Sequence, residues 1–117
     1  MSRVFIIETP SVNVEKANRY GQIVILINQP PKISALNSDY FAGMVIEELE
    51  NHEFNPKDDY FCLVGSMSSI AVTVASLVVR WGDIRCLLFN ASRNDYCVRT
   101  LGKWRTTGKW EDEEETC

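Results

Sequence analysis

The fold is decided between Tyr60 and Phe89: Tyr60-Phe61-Cys62-Leu63-Val64, then Gly65-Ser66-Met67-Ser68-Ser69, then Ile70 to Arg80 (IAVTVASLVVR), Trp81-Gly82, and Asp83 to Phe89 (DIRCLLF). The first run has no polar alternation, as expected of a strand covered on both faces. The Val-rich run suits strand or helix by periodicity. Its length, the Ser68 or Ser69 cap, the small Ala71 and Ala75 and the stop at Trp81-Gly82 make it a helix. Because this helix is apolar on nearly every side, it is expected to be covered twice, by the sheet and by something else, for which a second subunit is one candidate. DIRCLLF is the next strand, parallel to the first, since a helical connection joins parallel neighbours.

Upstream, Asn37-Ser38-Asp39 offers capping side chains for a helix running to about His52, with Tyr40, Phe41, Met44, Val45 and Leu49 at helical spacing. Before it, Tyr20 to Ile27 (YGQIVILI) reads as a β-branched strand that stops at Asn28-Gln29-Pro30-Pro31, because paired prolines supply no amide donors. Arg3 to Ile7 is a short first strand, and the polar segment from Thr9 to Arg19 is expected to join the two as a long hairpin or along an edge. Downstream, Asn90 to Asp95 is a loop and Tyr96 to Leu101 a last strand hairpinned onto its predecessor. The order β, β, α, β, α, β, β gives an α/β single domain: a mixed five-stranded sheet with a parallel βαβαβ core, two helices and antiparallel strands at the edges. The domain is expected over residues 1–102, and residues 103–117 form a basic-aromatic, then acidic, flexible tail.

Composition narrows the function classes. The chain has 117 residues, 45% hydrophobic and 24% charged, so one core can form without metal or disulfide staples. The apolar stretch of Met1 to Glu8 is too short for a signal peptide, and the run from Cys62 to Val79 is broken by Gly65 and serines, so neither export nor a membrane span is expected. Cys62, Cys86, Cys97 and Cys117 are widely spaced, without CxxC or a Cys/His cluster. Reduced thiols, no metal and a cytoplasmic setting follow as expectations.

In open α/β sheets ligands gather beyond the carboxyl ends of the parallel strands. Those ends place Asn28, then Gly65, Ser66, Ser68 and Ser69, then Asn90 and Arg93 as candidate ligand-binding residues. The middle group enters a helix whose free amides and dipole favour an anion, with Arg93 as counter-charge, so a nucleotide or phosphorylated signal is the natural ligand. The loop nevertheless lacks GxxxxGK[ST] and a second glycine, and a glycine turn with a serine cap is also what any strand-to-helix junction needs. Catalysis finds less support. His52 is the single histidine, the serines do not form a GxSxG elbow, and Asp58-Asp59 lies at the amino end of a strand, so no catalytic residue and no cofactor are expected.

Beyond the last strand, Lys103, Trp104, Arg105, Lys109 and Trp110 form a basic, aromatic segment, and Glu111 to Glu115 then reverses the sign. Basic side chains with interleaved aromatics suit single-stranded nucleic acid. The adjacent acidic run and a net charge of -4 argue against that partner and for a basic partner protein. Trp104, Arg105, Trp110 and Glu113 are the candidate partner-binding residues, and the run of Glu is otherwise a solubilising end.

Residues Pro56 to Leu101 resemble a group of small, uncharacterised bacteriophage α/β accessory proteins. The matching pieces are Asp59-Tyr60, Leu63-Val64-Gly65-Ser66, Ile70 to Val79, Gly82, Leu87-Leu88-Phe89, and Asn94-Asp95-Tyr96 with Val98. Members of that group often carry a proline after the glycine turn, where this chain has Met67 and Ser68. The resemblance implies a phage accessory protein acting in an infected bacterium and brings no established activity or catalytic residues. Together with the apolar helix and the sign-reversing tail, it gives a noncatalytic homo-oligomer that binds a host or phage macromolecule. The alternative is a binder, less readily a hydrolase, of a nucleotide or phosphorylated signal at the Gly65 turn.

Overall fold

The computed structural model describes residues 2–8, 10, 13–27 and 38–102. Its elements are β1 (Arg3–Glu8), a 3-10 helix (Glu15–Tyr20), β2 (Gln22–Ile27), α1 (Ser38–Asn51), β3 (Tyr60–Cys62), α2 (Met67–Trp81), β4 (Ile84–Asn90) and β5 (Asp95–Leu101). They build one five-stranded mixed sheet in the order β2-β1-β3-β4-β5 with two α-helices, as the α/β reading expects.

The placement of β1 differs from the expectation. It lies between β2 and β3 and is parallel to both, rather than forming an antiparallel edge. Only β5 is antiparallel, paired along its length with β4. The reason lies in four residues: Val4, Phe5, Ile6 and Ile7 are all fully buried, which requires cover on both faces and strands on both sides. A parallel return to β2 also needs a long crossover instead of a hairpin turn, and the 3-10 helix lies in that connection. Crossovers of one hand that move in opposite directions along a sheet occupy opposite faces. The reversal after β2 therefore separates the 3-10 helix from α1 and α2.

On the α-helical face, Phe5, Ile7, Phe61, Ile84 and Cys86 of the sheet pack against Phe41, Val45 and Leu49 of α1 and Leu77 of α2. On the other face, Val4, Ile6, Cys62, Leu87, Tyr96 and Val98 are closed over by Ala17 of the 3-10 helix, with Val14 and Tyr20 beside it. The amino edge of the sheet is fastened by Asp59, whose carboxylate accepts from the Arg3 backbone N–H at 3.1 Å, the Arg3 guanidinium at 3.0 Å and the Asn55 N–H at 2.8 Å. That carboxylate is thus a tie between β1 and the turn before β3.

The helix α2 buries Ser69, Thr73 and Leu77, with Ile70, Val72, Val78 and Trp81 packed partly buried against the core of the α-helical face. Its outward residues Met67, Ala71, Ala75 and Val79 are exposed. Cys62 and Cys86 are buried free thiols.

Candidate functional site at the switch in strand direction

The chain leaves β1 toward β2 and later returns to the other side of β1 as β3, so the crevice that open α/β sheets use for ligands lies beyond the carboxyl ends of β1 and β3. Two groups meet there. Gly65, at φ +141°, is close enough to Glu8, the last residue of β1, that a Cβ on it would stand 3.1 Å from Glu8 Oε1. The glycine serves both the backbone turn and this close approach. Ser66 is the N-cap of α2, with φ -67° and ψ 150°, and its hydroxyl accepts from the Ser69 N–H at 3.2 Å. The Ser66 and Ser69 hydroxyls are also 2.7 Å apart. Both are therefore occupied in starting the helix, and Ser69 is buried. Ser68 alone presents a free-facing hydroxyl, on an exposed residue of the first turn.

The electrostatics of this mouth are set by Glu8. Its carboxylate supplies the negative charge that a helix N-terminus favours, and it opposes a second anion in the same place. Glu8 is not among the candidate residues read from the sequence. A charged residue that closes the buried run Val4-Phe5-Ile6-Ile7 would have marked it, once that run had been recognised as a central strand.

The remaining ligand candidates fall elsewhere or are spent locally. Asn90 ends β4 and folds its side chain onto the hairpin, accepting from the Ser92 N–H at 3.1 Å and the Ser92 hydroxyl at 2.7 Å. Arg93 lines a shallow recess with Glu15, Lys16, Arg19, Asn94 and Asp95, which includes no residue of the Gly65 turn. In that recess Arg19 pairs with Asp95 at 2.7 Å, and the Lys16 ammonium donates to the Asn94 carbonyl. The Tyr96 backbone N–H donates to the Asp95 carboxylate and, with Arg19 and Lys16 nearby, holds its pKa below the usual carboxylate value. Asn28, Trp104, Arg105, Trp110 and Glu113 lie outside the described residues.

No catalytic constellation forms around these groups. His52 follows the end of α1 and its ring stands 5.8 Å from that of Phe5, while its carbonyl accepts from Arg3. Arg3 begins β1, which puts the histidine at the amino edge of the sheet, opposite the Gly65 turn. Burial pushes the Cys62 and Cys86 thiols up to about 12, the reverse of an activated nucleophile. Among the described residues, no group of three His, Cys, Asp or Glu side chains could hold a metal ion, and no helix is long and apolar enough to cross a membrane.

The described residues thus define a small α/β domain with a capped, self-satisfied strand-to-helix turn and an exposed apolar helix face. The chain belongs to the phage Pam3 gp32-like protein family, whose model matches residues 2–101. This is a bacteriophage family, as the resemblance over Pro56 to Leu101 implies, and the match extends it across the whole sheet. No curated protein and no solved structure matches the chain.

Proposed function

We propose that this protein is a noncatalytic phage accessory protein that acts by binding a protein of the phage or of its bacterial host through the outward face of α2. The observation that carries the reading is the exposure of that face: Met67 is 86% and Val79 88% exposed, with Ala71 and Ala75 between them. From Met67 to Val79 the helix has no charged residue, and Ile46 of α1 joins Ala75, Ser76 and Val79 in a shallow, largely apolar recess that Arg80 also lines. A largely apolar stripe bordered by a single cation suits the apolar side of a protein partner. The tail residues Trp104, Arg105, Trp110 and Glu113 would supply a second contact, with Trp and Arg as the anchors favoured at interfaces.

The test is capture of phage and host proteins from infected cells by the full chain. Ala75→Arg on the helix, and separately Trp104→Ala with Trp110→Ala and removal of residues 111–117, should each reduce recovery of the same protein by about tenfold or more. Equal recovery by all variants would overturn the reading.

A second reading is favoured by one feature, the α2 N-terminus at the switch in strand direction, with Ser68 exposed beside it. A nucleotide or phosphorylated signal would bind there against the repulsion of Glu8. It predicts stabilisation of the protein by a member of a nucleotide panel, strengthened by Glu8→Gln and lost on Ser68→Ala, with Arg93→Ala, in its separate recess, leaving it unchanged. Absence of any stabilisation rejects it.

A further inference from the structure

The two borders of the sheet differ in composition. β5 carries Asp95 and Arg99, whereas β2, Gln22 to Ile27, is QIVILI, with no charge and no proline. Natural edge strands are normally blunted by charges, prolines or bulges, because their unpaired N–H and C=O groups template another strand. Nothing among the described residues pairs with the outer side of β2.

The backbone shows which residues face outward. The Gln22 N–H donates to the Ser2 carbonyl at 3.3 Å, on the β1 side. Backbone groups alternate sides along a strand, so Val24 and Leu26 also bond toward β1, and Ile23, Ile25 and Ile27 direct their N–H and C=O groups away from the sheet. Ile25, at the middle of the three, is 38% exposed.

We propose that β2 pairs antiparallel with β2 of a second copy of this chain about a two-fold axis at Ile25, continuing the sheet across a homodimer. A second copy is the occupant that the chemistry fits. The edge is self-complementary: Ile25 opposes its own mate, and Ile23 opposes Ile27 of the partner subunit, each pair exchanging both backbone bonds. An uncharged strand brings no like charges together when it meets itself, and aliphatic β-branched cross-strand pairs add to the joint. Direction is fixed by α1, whose Glu47 and Glu48 flank Leu26 and Ile27. A parallel mate would stack these acidic ends, whereas the antiparallel one separates the two Ile27 ends by about 14 Å, beyond a Debye length at physiological salt. This proposal does not rest on the function of the α2 face.

The experiment is sedimentation velocity on the full chain, with hydrogen exchange at high and low protein concentration. The wild type should sediment at twice 13.4 kDa. Its Ile23, Ile25 and Ile27 amides should exchange about tenfold or more slower when dimeric. Ile25→Pro removes an outward donor without touching the β1 ladder and should give a monomer with unchanged circular dichroism. Ile25→Lys, which sets two cations opposite each other, keeps the test open should the proline variant fail to fold. A wild type that remains monomeric overturns the proposal. So does a dimer that survives Ile25→Lys, including one dissolved instead by Ala75→Arg, which would place the joint on α2.

Discussion

A single carboxylate illustrates how neighbours decide what a side chain does. Asp95 begins β5, accepts from the Tyr96 N–H at 2.7 Å and pairs with Arg19 at 2.7 Å, and both contacts favour the charged form. Its folded pKa is lowered from 3.8, so the stability it contributes is present above that value and disappears as pH falls through the lower folded one. Thermal unfolding followed from pH 6 to pH 2 should show this loss below about pH 4. Asp95→Asn should flatten that part of the curve and leave the neutral-pH side little changed, because the pair is partly exposed. The buried thiols give a parallel expectation. Cys62 and Cys86, held up at about 12, should resist alkylation at pH 8 in the folded protein and react only as it unfolds, which mass spectrometry of labelled samples would follow.

Among the elements, α2 separates residues that hold the fold from residues left over for binding. Leu77 is fully buried against the sheet, while Val79, two positions on, is 88% exposed. Leu77→Ala should cost about 2–5 kcal/mol of stability by opening a cavity. Val79→Ser should fall within about 0.5 kcal/mol of the wild type, as surface changes do. Denaturant titrations of the two variants, set beside their capture of a partner, would distinguish loss of fold from loss of surface. Much of this level was legible in the sequence. The stop at Trp81-Gly82 and the unalternated Tyr60-Phe61-Cys62 are local signals that locate α2, β3 and β4 within a few residues, while the cap falls at Ser66 rather than at Ser68 or Ser69. The 3-10 helix was not legible, because Glu15 to Tyr20 buries only Ala17 completely and has too short a run for a period to show. The position of β1 was missed for a different reason. Parallel pairing with β2 and β3 is a long-range choice, and its one local trace is the uninterrupted apolar run Val4 to Ile7. The candidate site was legible as a place, the Gly65 turn, but its charge depends on Glu8, brought there by that same unforeseen pairing.

Among the described residues the two faces of the sheet are covered unequally: α1 and α2 close one, and six residues of 3-10 helix lie over the centre of the other. Several described contacts fasten the 3-10 helix. Ala17 is fully buried against the sheet, Arg19 and the Tyr20 hydroxyl both donate to the Tyr96 carbonyl at 3.2 Å, and the Tyr20 and Tyr60 rings stand 5.3 Å apart. These contacts join the β1 to β2 crossover to the β4–β5 hairpin, elements far apart in the chain. A larger side chain at position 17 would lift the 3-10 helix and release all of them together. Ala17→Leu should therefore destabilise the protein by about 1–3 kcal/mol through overpacking. It should also weaken the acid-dependent contribution of Asp95, since Arg19 would be carried away with the helix. Comparing Ala17→Leu, Asp95→Asn and the double variant decides the matter. If the 3-10 helix acts as one lid on this face, the double variant falls short of the sum of the singles at neutral pH and shows no further loss below pH 4; strict additivity would mean that the cap is held residue by residue.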